Sequence, residues 1–185
     1  MQPGQRRVVY VSGAPGAGKT TLAGPLAAEL GFALVGKDRI KETLHDAPGA
    51  PPPDLAWSRK LGAAAWEVLW ALAADAPAVV VEGNFLPRDP YQRAKLTALA
   101  DHPIEVYCDC PPELAARRYE QREADSHPVH VVTSVPPEVR AEFGRPVGVG
   151  ELVRVDTSAP ADPVAVAAAV RAHWPAGSVA QRGRG

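Results

Sequence analysis

The stretch that decides the fold is Gly13-Ala14-Pro15-Gly16-Ala17-Gly18-Lys19-Thr20, which matches the phosphate-binding pattern G-x-x-x-x-G-K-[ST] at every fixed position. Residues 7–11 before it form an apolar, β-branched run that predicts a buried strand. Residues 21–30 after it predict a helix that ends at Gly31. The stretch therefore stands between a strand and a helix, which is the context that a phosphate-binding loop requires.

Each position of this loop has a physical role. Glycine lets the backbone turn so that successive N–H groups face one concavity, and the start of the following helix adds unpaired donors. We expect Lys19 to reach the β- and γ-phosphates of a nucleotide, Thr20 to ligate Mg²⁺ and Thr21 to contact the α-phosphate. The whole loop, residues 13–20, is therefore a predicted nucleotide site, with ATP and Mg²⁺ as the expected cofactors.

Length and composition limit the class of protein. The 185 residues predict one domain over residues 1–175 and a disordered tail over 176–185. A net charge of −1 gives no basic excess, which argues against nucleic acid as the partner. The apolar run near the N-terminus is too short for a signal peptide or a membrane span, so we expect no membrane partner. Cys108 and Cys110 are too few for a disulfide scaffold, which favours a cytoplasmic location.

The second strand is predicted at residues 32–35, and Asp38 follows it before a helix over residues 40–45. Acidic residues at the carboxyl ends of strands are where α/β sheets carry their chemistry, so Asp38 is a candidate general base. It is also a good helix N-cap, and both roles remain open. The neighbouring Arg39 is a candidate substrate contact.

Residues 47–53 form a proline-rich loop, and Asp54 then caps a helix predicted to run to about residue 74. This helix carries Trp57, Trp66 and Trp70, the last two one turn apart. Tryptophans at this spacing belong either to the core or to a surface on which a substrate stacks. Trp57 and Trp66 are therefore candidate substrate contacts.

The run at residues 78–81 is strongly apolar and β-branched, which predicts a central parallel strand. Glu82 ends it and could bind Mg²⁺ through a water or contact the substrate, or it could be an ordinary acid at a strand end. Asn84, two residues further, is a candidate substrate contact.

The next strand covers residues 104–110, and Pro111 opens a helix that carries Arg118 and Arg122 one turn apart. Two cations on one face repel each other unless an anion bridges them, and a triphosphate is such an anion. The alternative is a pair of surface arginines facing Glu120 and Glu123. His127 and His130 follow this helix and are candidate substrate contacts.

The last strand is predicted at residues 152–156, followed by the polar turn Thr157-Ser158 and a helix over residues 163–174. Five strands alternating with helices predict an α/β domain with a mainly parallel sheet.

The order of these features resembles the P-loop kinase group, of the AAA ATPase type, that includes chloramphenicol phosphotransferase, the zeta toxins and the kinase half of polynucleotide kinases. The matching pieces span roughly residues 7–170. They are the loop at residues 13–20, Val35-Gly36-Lys37-Asp38, residues 79–82, Arg118 with Arg122, and Val155-Asp156-Thr157.

The resemblance implies a three-layer fold with sheet order 2-3-1-4-5, helices on both faces and a short lid. It implies that Asp38 takes the proton of the acceptor hydroxyl, that Arg118 and Arg122 are lid arginines on the phosphates, and that Thr157-Ser158 lies near the adenine. Glu82 departs from the group, in which an aspartate is common at this position.

The sequence therefore predicts an ATP-dependent phosphotransferase that acts on a hydroxyl of a small molecule, such as an antibiotic, a sugar or a nucleoside-like alcohol. Lys19, Asp38, Arg118 and Arg122 are its predicted catalytic residues. One alternative is a 5′-hydroxyl nucleic acid kinase, which would need a basic groove with stacking aromatics. A second is a regulatory protein that binds nucleotide and hydrolyses it slowly, which would need no acceptor base. The sequence does not specify an oligomeric state.

Overall fold

The computed structural model describes residues 6–123, 126–131 and 141–174. The expected domain end at residue 175 and the predicted disorder of residues 176–185 lie outside these ranges. The described chain forms five strands and six helices, and a helix follows every strand. The strands are β1 (Arg7–Gly13), β2 (Ala33–Gly36), β3 (Ala78–Glu82), β4 (Ile104–Asp109) and β5 (Glu151–Asp156). The helices are α1 (Lys19–Leu30), α2 (Lys37–His45), α3 (Leu55–Asp75), α4 (Pro90–Leu99), α5 (Pro112–Glu123) and α6 (Pro163–Ala172).

All five strands pair in parallel in the order β2-β3-β1-β4-β5. β1 lies at the centre, between β3 and β4, with Val11 in register with Glu82 and Gly13 with Cys108. The expected sheet order is therefore confirmed. Because parallel strands end at the same edge, this register brings the loop after β1 beside the residues that end β3 and β4.

Helices cover both faces of the sheet, which confirms the three-layer architecture. On one face α1 and α6 pack on the sheet, and this cluster includes Leu26 and Val170. On the other face α3 and α4 contribute Leu69, Trp70 and Leu96. The central strands are buried on both sides, which is why they read as continuous β-branched runs.

A buried carboxylate joins the sheet to the segment that precedes β5. Glu105 on β4 accepts hydrogen bonds from the hydroxyls of Tyr10 and Ser12 and from the backbone N–H groups of Val147 and Gly148. Burial of a charged group is costly unless its polar atoms are hydrogen-bonded. Here each carboxylate oxygen of Glu105 accepts two hydrogen bonds. Glu105 therefore fixes the path of the chain from α5 back to the sheet.

Candidate active site

The phosphate-binding loop connects the end of β1 to the start of α1. Gly13, Gly16 and Gly18 have φ values of 135°, 81° and 87°, a region that glycine adopts without strain. A Cβ on Gly13 would lie 2.7 Å from the carbonyl oxygen of Cys108 on β4. The loop therefore packs so closely on the neighbouring strand that a side chain at this position would displace it.

Lys19 is the first residue of α1, and its side chain turns back onto the loop. Its Nζ donates to the carbonyl oxygens of Gly13 and Ala14 at 3.0 and 2.9 Å. Burial lowers the pKa of Lys19, and the carboxylate of Glu82 acts in the opposite direction. The ammonium is thus held inside the loop that a nucleotide triphosphate would occupy.

Thr20 and Glu82 bring a hydroxyl and a carboxylate together beside this loop. Thr20 Oγ1 donates to Glu82 Oε1 at 3.3 Å. Burial raises the pKa of Glu82, and the nearby Lys19 ammonium partly offsets that effect. Both side chains offer hard oxygen ligands, which is the donor type that Mg²⁺ prefers.

The Thr20–Glu82 pair fits Mg²⁺ in its chemistry but is too small to form a complete protein cage. Within residues 6–123, 126–131 and 141–174, no group of three or more His, Cys, Asp or Glu side chains could hold a metal ion. Mg²⁺ usually keeps several waters and phosphate oxygens as ligands and needs only one or two protein groups. The pair is therefore suited to a metal that arrives with a nucleotide.

Asp38 lies in the first turn of α2. This helix begins at Lys37 with Gly36 as its N-cap, three residues earlier than the sequence predicts. The interpretation of Asp38 as the helix cap is therefore wrong. The cap is missed because Gly36 caps through its backbone alone, and the side-chain signal that usually marks a helix start is absent.

The charge of Asp38 is set by its neighbours. Lys37 Nζ lies 2.9 Å from Asp38 Oδ1. Burial acts to raise the pKa of Asp38, but the ammonium and hydrogen bond of Lys37, together with His130 and Lys19, outweigh burial and hold this pKa below its usual value. Asp38 is consequently a carboxylate at neutral pH, which is the form that a general base needs.

Arg118 on α5 reaches across to the turn after β5. Its Nη1 donates to the carbonyl oxygen of Thr157 and its Nη2 to that of Ser158, each at 2.7 Å. This turn is expected to lie near the adenine, and Arg118 links it to the helix that carries the predicted lid arginines. The alternative in which Arg118 faces an acidic surface neighbour is not what the structure shows.

A cavity of about 250 Å³ lies between the loop, α5 and this turn. Its walls combine backbone near the loop, two arginines and an apolar rim. They are Gly16, Gly18, Thr21, Leu22, Pro25, Arg118, Arg122, Thr157, Ala159, Pro160, Ala161 and Pro163. The cavity therefore joins the predicted phosphate residues to the predicted adenine turn.

Arg122 is exposed on α5, one turn beyond Arg118. Its positive charge is a minor influence that acts to lower the pKa of both Lys19 and Glu82. Arg118 and Arg122 both line the cavity. The two predicted lid arginines therefore lie on one helix beside one cavity, and Arg118 also bonds the turn after β5.

The candidate aromatic contacts lie on α3. Trp66 is half-buried and stacks on Trp70, with ring centroids 5.3 Å apart. A Cβ on Gly83 would lie 2.8 Å from Trp66 Cη2, so the Trp66 ring packs against the chain just after Glu82. Trp57 lies more than two turns away, and its indole N–H donates to His45 Nδ1 at 3.2 Å. The structure therefore brings Trp66 to the site edge, whereas Trp57 contacts the end of α2.

Both candidate histidines are bound to α2. His130 Nε2 lies 2.7 Å from Glu42 Oε1, and His127 Nε2 lies 3.0 Å from Asp46 Oδ1. These contacts dock residues 126–131, which follow α5 in sequence, onto the helix that carries Asp38 and onto its C-cap residue Asp46. Glu42 and Asp46 were not singled out from the sequence, although Asp38, Glu42 and the C-cap residue Asp46 follow one another at four-residue intervals, which places them on one side of α2.

Within the described part of the chain, the structure gives no site contact to the two remaining candidates, Arg39 and Asn84, whereas two lysines not predicted from the sequence have defined partners on or beside α2. Arg39 is exposed, and Asn84 is half-buried directly after Gly83. Sequence reasoning passed over Lys37, which pairs with Asp38, and Lys41, whose Nζ donates to Ser58 Oγ on α3 at 2.7 Å. Nothing in a linear pattern distinguishes Lys41 from a surface lysine, because its partner Ser58 is set by the packing of α2 on α3.

The fold and the loop define a P-loop nucleotide-binding protein with the architecture of kinases. The family model described as "AAA domain" matches residues 8–146, and the chain belongs to this family. No curated protein matches the chain. None of the helices in the described ranges is long and apolar enough to cross a membrane.

Solved structures with this fold include several kinases. A candidate kinase from Chloroflexus aurantiacus is 29% identical, with a TM-score of 0.78 over 92% of this chain and 100% of that chain. Shikimate kinase from Acinetobacter baumannii, solved with shikimate, is 20% identical, with a TM-score of 0.60 over 91% and 92% of the two chains. The APS kinase of Mycobacterium tuberculosis, solved with AMPPNP and APS, is 18% identical, with a TM-score of 0.57 over 91% and 96%.

Proposed function

We propose that this protein is an ATP-dependent kinase that transfers the γ-phosphate to a hydroxyl group of a small molecule. The observation that carries the proposal is the convergence of Lys19, Thr20, Glu82 and Asp38 at one edge of the sheet. Lys19 lies in the loop and Thr20 donates to Glu82. Asp38 follows two residues after Gly36, which pairs in register with Glu82. A regulatory protein that only binds and slowly hydrolyses nucleotide would need Lys19, Thr20 and Glu82. It would not need the further carboxylate of Asp38.

In this proposal Asp38 accepts the proton of the acceptor hydroxyl while the hydroxyl oxygen attacks the γ-phosphorus. The bond between the γ-phosphorus and the bridging oxygen breaks, and ADP leaves with the electron pair. Charge develops on the transferring oxygens, so positive groups placed beside them lower the barrier. Lys19 and Arg122 would supply such charges, because Lys19 bonds the phosphate-binding loop and Arg122 lines the cavity beside that loop.

Thr20 and Glu82 would hold Mg²⁺, which neutralises phosphate charge when it is bound. Gly13, Ala14, Pro15, Gly16, Ala17 and Gly18 would surround the phosphates, and Thr21 lines the same cavity. The adenine of ATP would lie against the Thr157-Ser158 turn. Arg118 would act there by holding that turn, since its guanidinium already donates to both carbonyl oxygens.

The acceptor would enter on the side of α2 and Trp66, away from the adenine of ATP. An antibiotic, a sugar or a nucleoside-like alcohol is the substrate class that we infer, which corresponds to the narrower group that includes chloramphenicol phosphotransferase. Arg39, Trp57, Asn84, His127 and His130 are proposed as surrounding residues; the two histidines would shape the pocket through their hold on α2. We place the activity in the cytoplasm, because both cysteines of the chain are unpaired.

The test is transfer of radiolabel from [γ-³²P]ATP with Mg²⁺ to a panel of hydroxyl-bearing antibiotics, sugars and nucleosides, with a 5′-hydroxyl oligonucleotide included. Lys19→Ala is the inactive variant, and Lys95→Ala on α4 is the matched control for loss of a lysine. We expect label on a small alcohol with the wild type and Lys95→Ala but not with Lys19→Ala. Label on the oligonucleotide alone, or ATP turnover that no alcohol stimulates, would contradict the proposal.

A further inference from the structure

Lys37 is the residue immediately before the proposed base, and its ammonium binds that base. Lys37 Nζ lies 2.9 Å from Asp38 Oδ1, and the side chain of Lys37 is only 15% exposed. Surface ion pairs contribute little, because solvent screens them and both side chains stay mobile. The Lys37–Asp38 pair differs from such surface pairs because the Lys37 side chain is largely buried.

The start of the Lys37 side chain lies close to Gly83, the residue that follows β3. A Cβ on Gly83 would lie 3.4 Å from Lys37 Cβ and 2.8 Å from Trp66 Cη2. Trp66 in turn stacks on the buried Trp70 and contacts Phe85, with ring centroids 5.2 Å apart for the second contact. The Lys37 side chain therefore starts beside the buried chain after β3 and ends with its ammonium in contact with the Asp38 carboxyl group.

We propose that Lys37 is a positioning residue for Asp38: its ammonium occupies Oδ1 and leaves Oδ2 to accept the proton of the acceptor hydroxyl. A carboxylate on a short side chain can rotate, and only one rotation aims a given oxygen at the acceptor. An ammonium fixed on one oxygen selects that rotation before substrate arrives. This inference rests on the proposed function in that it assigns Asp38 the role of base.

Other charges also face Asp38, and Lys37 is distinguished from them by contact. The charged and titratable groups that act on Asp38, or on which it acts, are Lys19 on α1, Lys41 on α2, Glu82 on β3 and His130 after α5. Lys19 bonds the loop, Lys41 bonds Ser58, and His130 bonds Glu42. Among the described residues, Lys37 alone has a side-chain hydrogen bond with Asp38.

The experiment compares the wild type with Lys37→Met, Lys37→Arg and Lys95→Met. Methionine keeps an unbranched stem against Gly83 and removes the charge, and arginine keeps a charged donor. Lys95 is the control, because it lies on α4 and pairs only loosely with Glu67, at 3.9 Å. Circular dichroism establishes that each variant is folded.

The first measurement is the titration of the Asp38 carboxyl carbon by NMR, which needs no acceptor. An opposite charge in contact lowers a carboxyl pKa by about 1–3 units, and partial exposure of Asp38 favours the lower end. We expect Lys37→Met to raise the Asp38 pKa by about 1 unit, with Lys37→Arg and Lys95→Met close to the wild type. An unchanged pKa in Lys37→Met would overturn the proposal.

The second measurement is transfer to an alcohol that the panel identifies, with kcat and the KM for ATP determined separately. Misplacing a reacting group by about 1 Å can lower the rate by about 100-fold. We expect Lys37→Met to lower kcat by about 10- to 100-fold with KM for ATP unchanged, and Lys37→Arg to restore much of it. A shifted Asp38 pKa with an unchanged kcat would refute the positioning role. If no alcohol accepts phosphate, the proposed function fails, while the titration still decides whether Lys37 holds Asp38.

Discussion

Replacing Gly16 with alanine is predicted to displace α5 from the phosphate-binding loop. Gly16 has a φ of 81°, and a left-handed conformation costs a non-glycine residue about 1–2 kcal/mol. A Cβ there would also lie 2.0 Å from the carbonyl oxygen of Ala115 and 3.0 Å from the backbone nitrogen of Tyr119, both on α5. Backbone atoms cannot rotate away, so the helix as a whole would have to move.

The size of the effect follows from these distances. Carbon and oxygen atoms in ordinary contact stand about 3.5 Å apart, so α5 would retreat by about 1.5 Å near Ala115. Overpacking of this kind costs about 1–3 kcal/mol in addition to the backbone strain. Gly18→Ala is the matched control, because its φ of 87° is similar but its Cβ would meet only Thr157 Cβ, at 3.9 Å.

Urea unfolding followed by circular dichroism measures both variants. We expect Gly18→Ala to lose about 1–2 kcal/mol of unfolding free energy and Gly16→Ala about 2–5 kcal/mol. The lower entropy of the unfolded alanine variants is the same for both and cancels in the comparison. Equal losses in the two variants would refute the close packing of the loop on α5.

Three further perturbations test other parts of the site. Arg118→Ala removes both hydrogen bonds to the turn after β5, and isothermal calorimetry should show an ATP affinity at least about tenfold weaker than that of the wild type. An unchanged affinity would mean that Arg118 is not needed to hold this turn for ATP binding. Burial raises the pKa of Cys108 to about 12, so iodoacetamide at pH 8 should alkylate the half-buried Cys110 and spare Cys108, as read by mass spectrometry. Because the folded-state pKa of Asp38 is lowered, its charge stabilises the fold above the unfolded pKa and loses that effect as pH falls through the folded value. The stability difference between wild type and Asp38→Asn should therefore shrink on acidification, and a difference that grows would contradict the ion pair with Lys37.

The loop and the sheet were predictable because their signals are local. Residues 13–20 match a pattern whose fixed positions have separate physical reasons, and the β-branched runs at residues 8–11 and 78–81 mark strands buried on both faces. Asp54 was also identified as a helix cap, and it accepts the Trp57 N–H as expected. The strand order came from resemblance, since no local pattern specifies which strands are neighbours.

The contacts that shape the site were not predictable, because they join distant parts of the chain. Arg118 bonds carbonyl oxygens about forty positions later in sequence, and backbone acceptors leave no trace in residue identity. His130 meets Glu42 across 88 positions. The Lys37–Asp38 pair is adjacent in sequence, but it depends on a helix start that only the backbone of Gly36 provides.

The most direct test of the proposed kinase activity is the pair of measurements on Asp38→Asn: ATP affinity by calorimetry and transfer to the alcohol under saturating substrates. A general base contributes about 10²–10⁴-fold to the rate. Because asparagine keeps the shape and removes the charge, we predict that ATP binds as in the wild type while transfer falls by about that factor. Normal ATP binding with wild-type transfer would contradict Asp38 as the base, and a collapse of ATP binding would instead place Asp38 in the metal site.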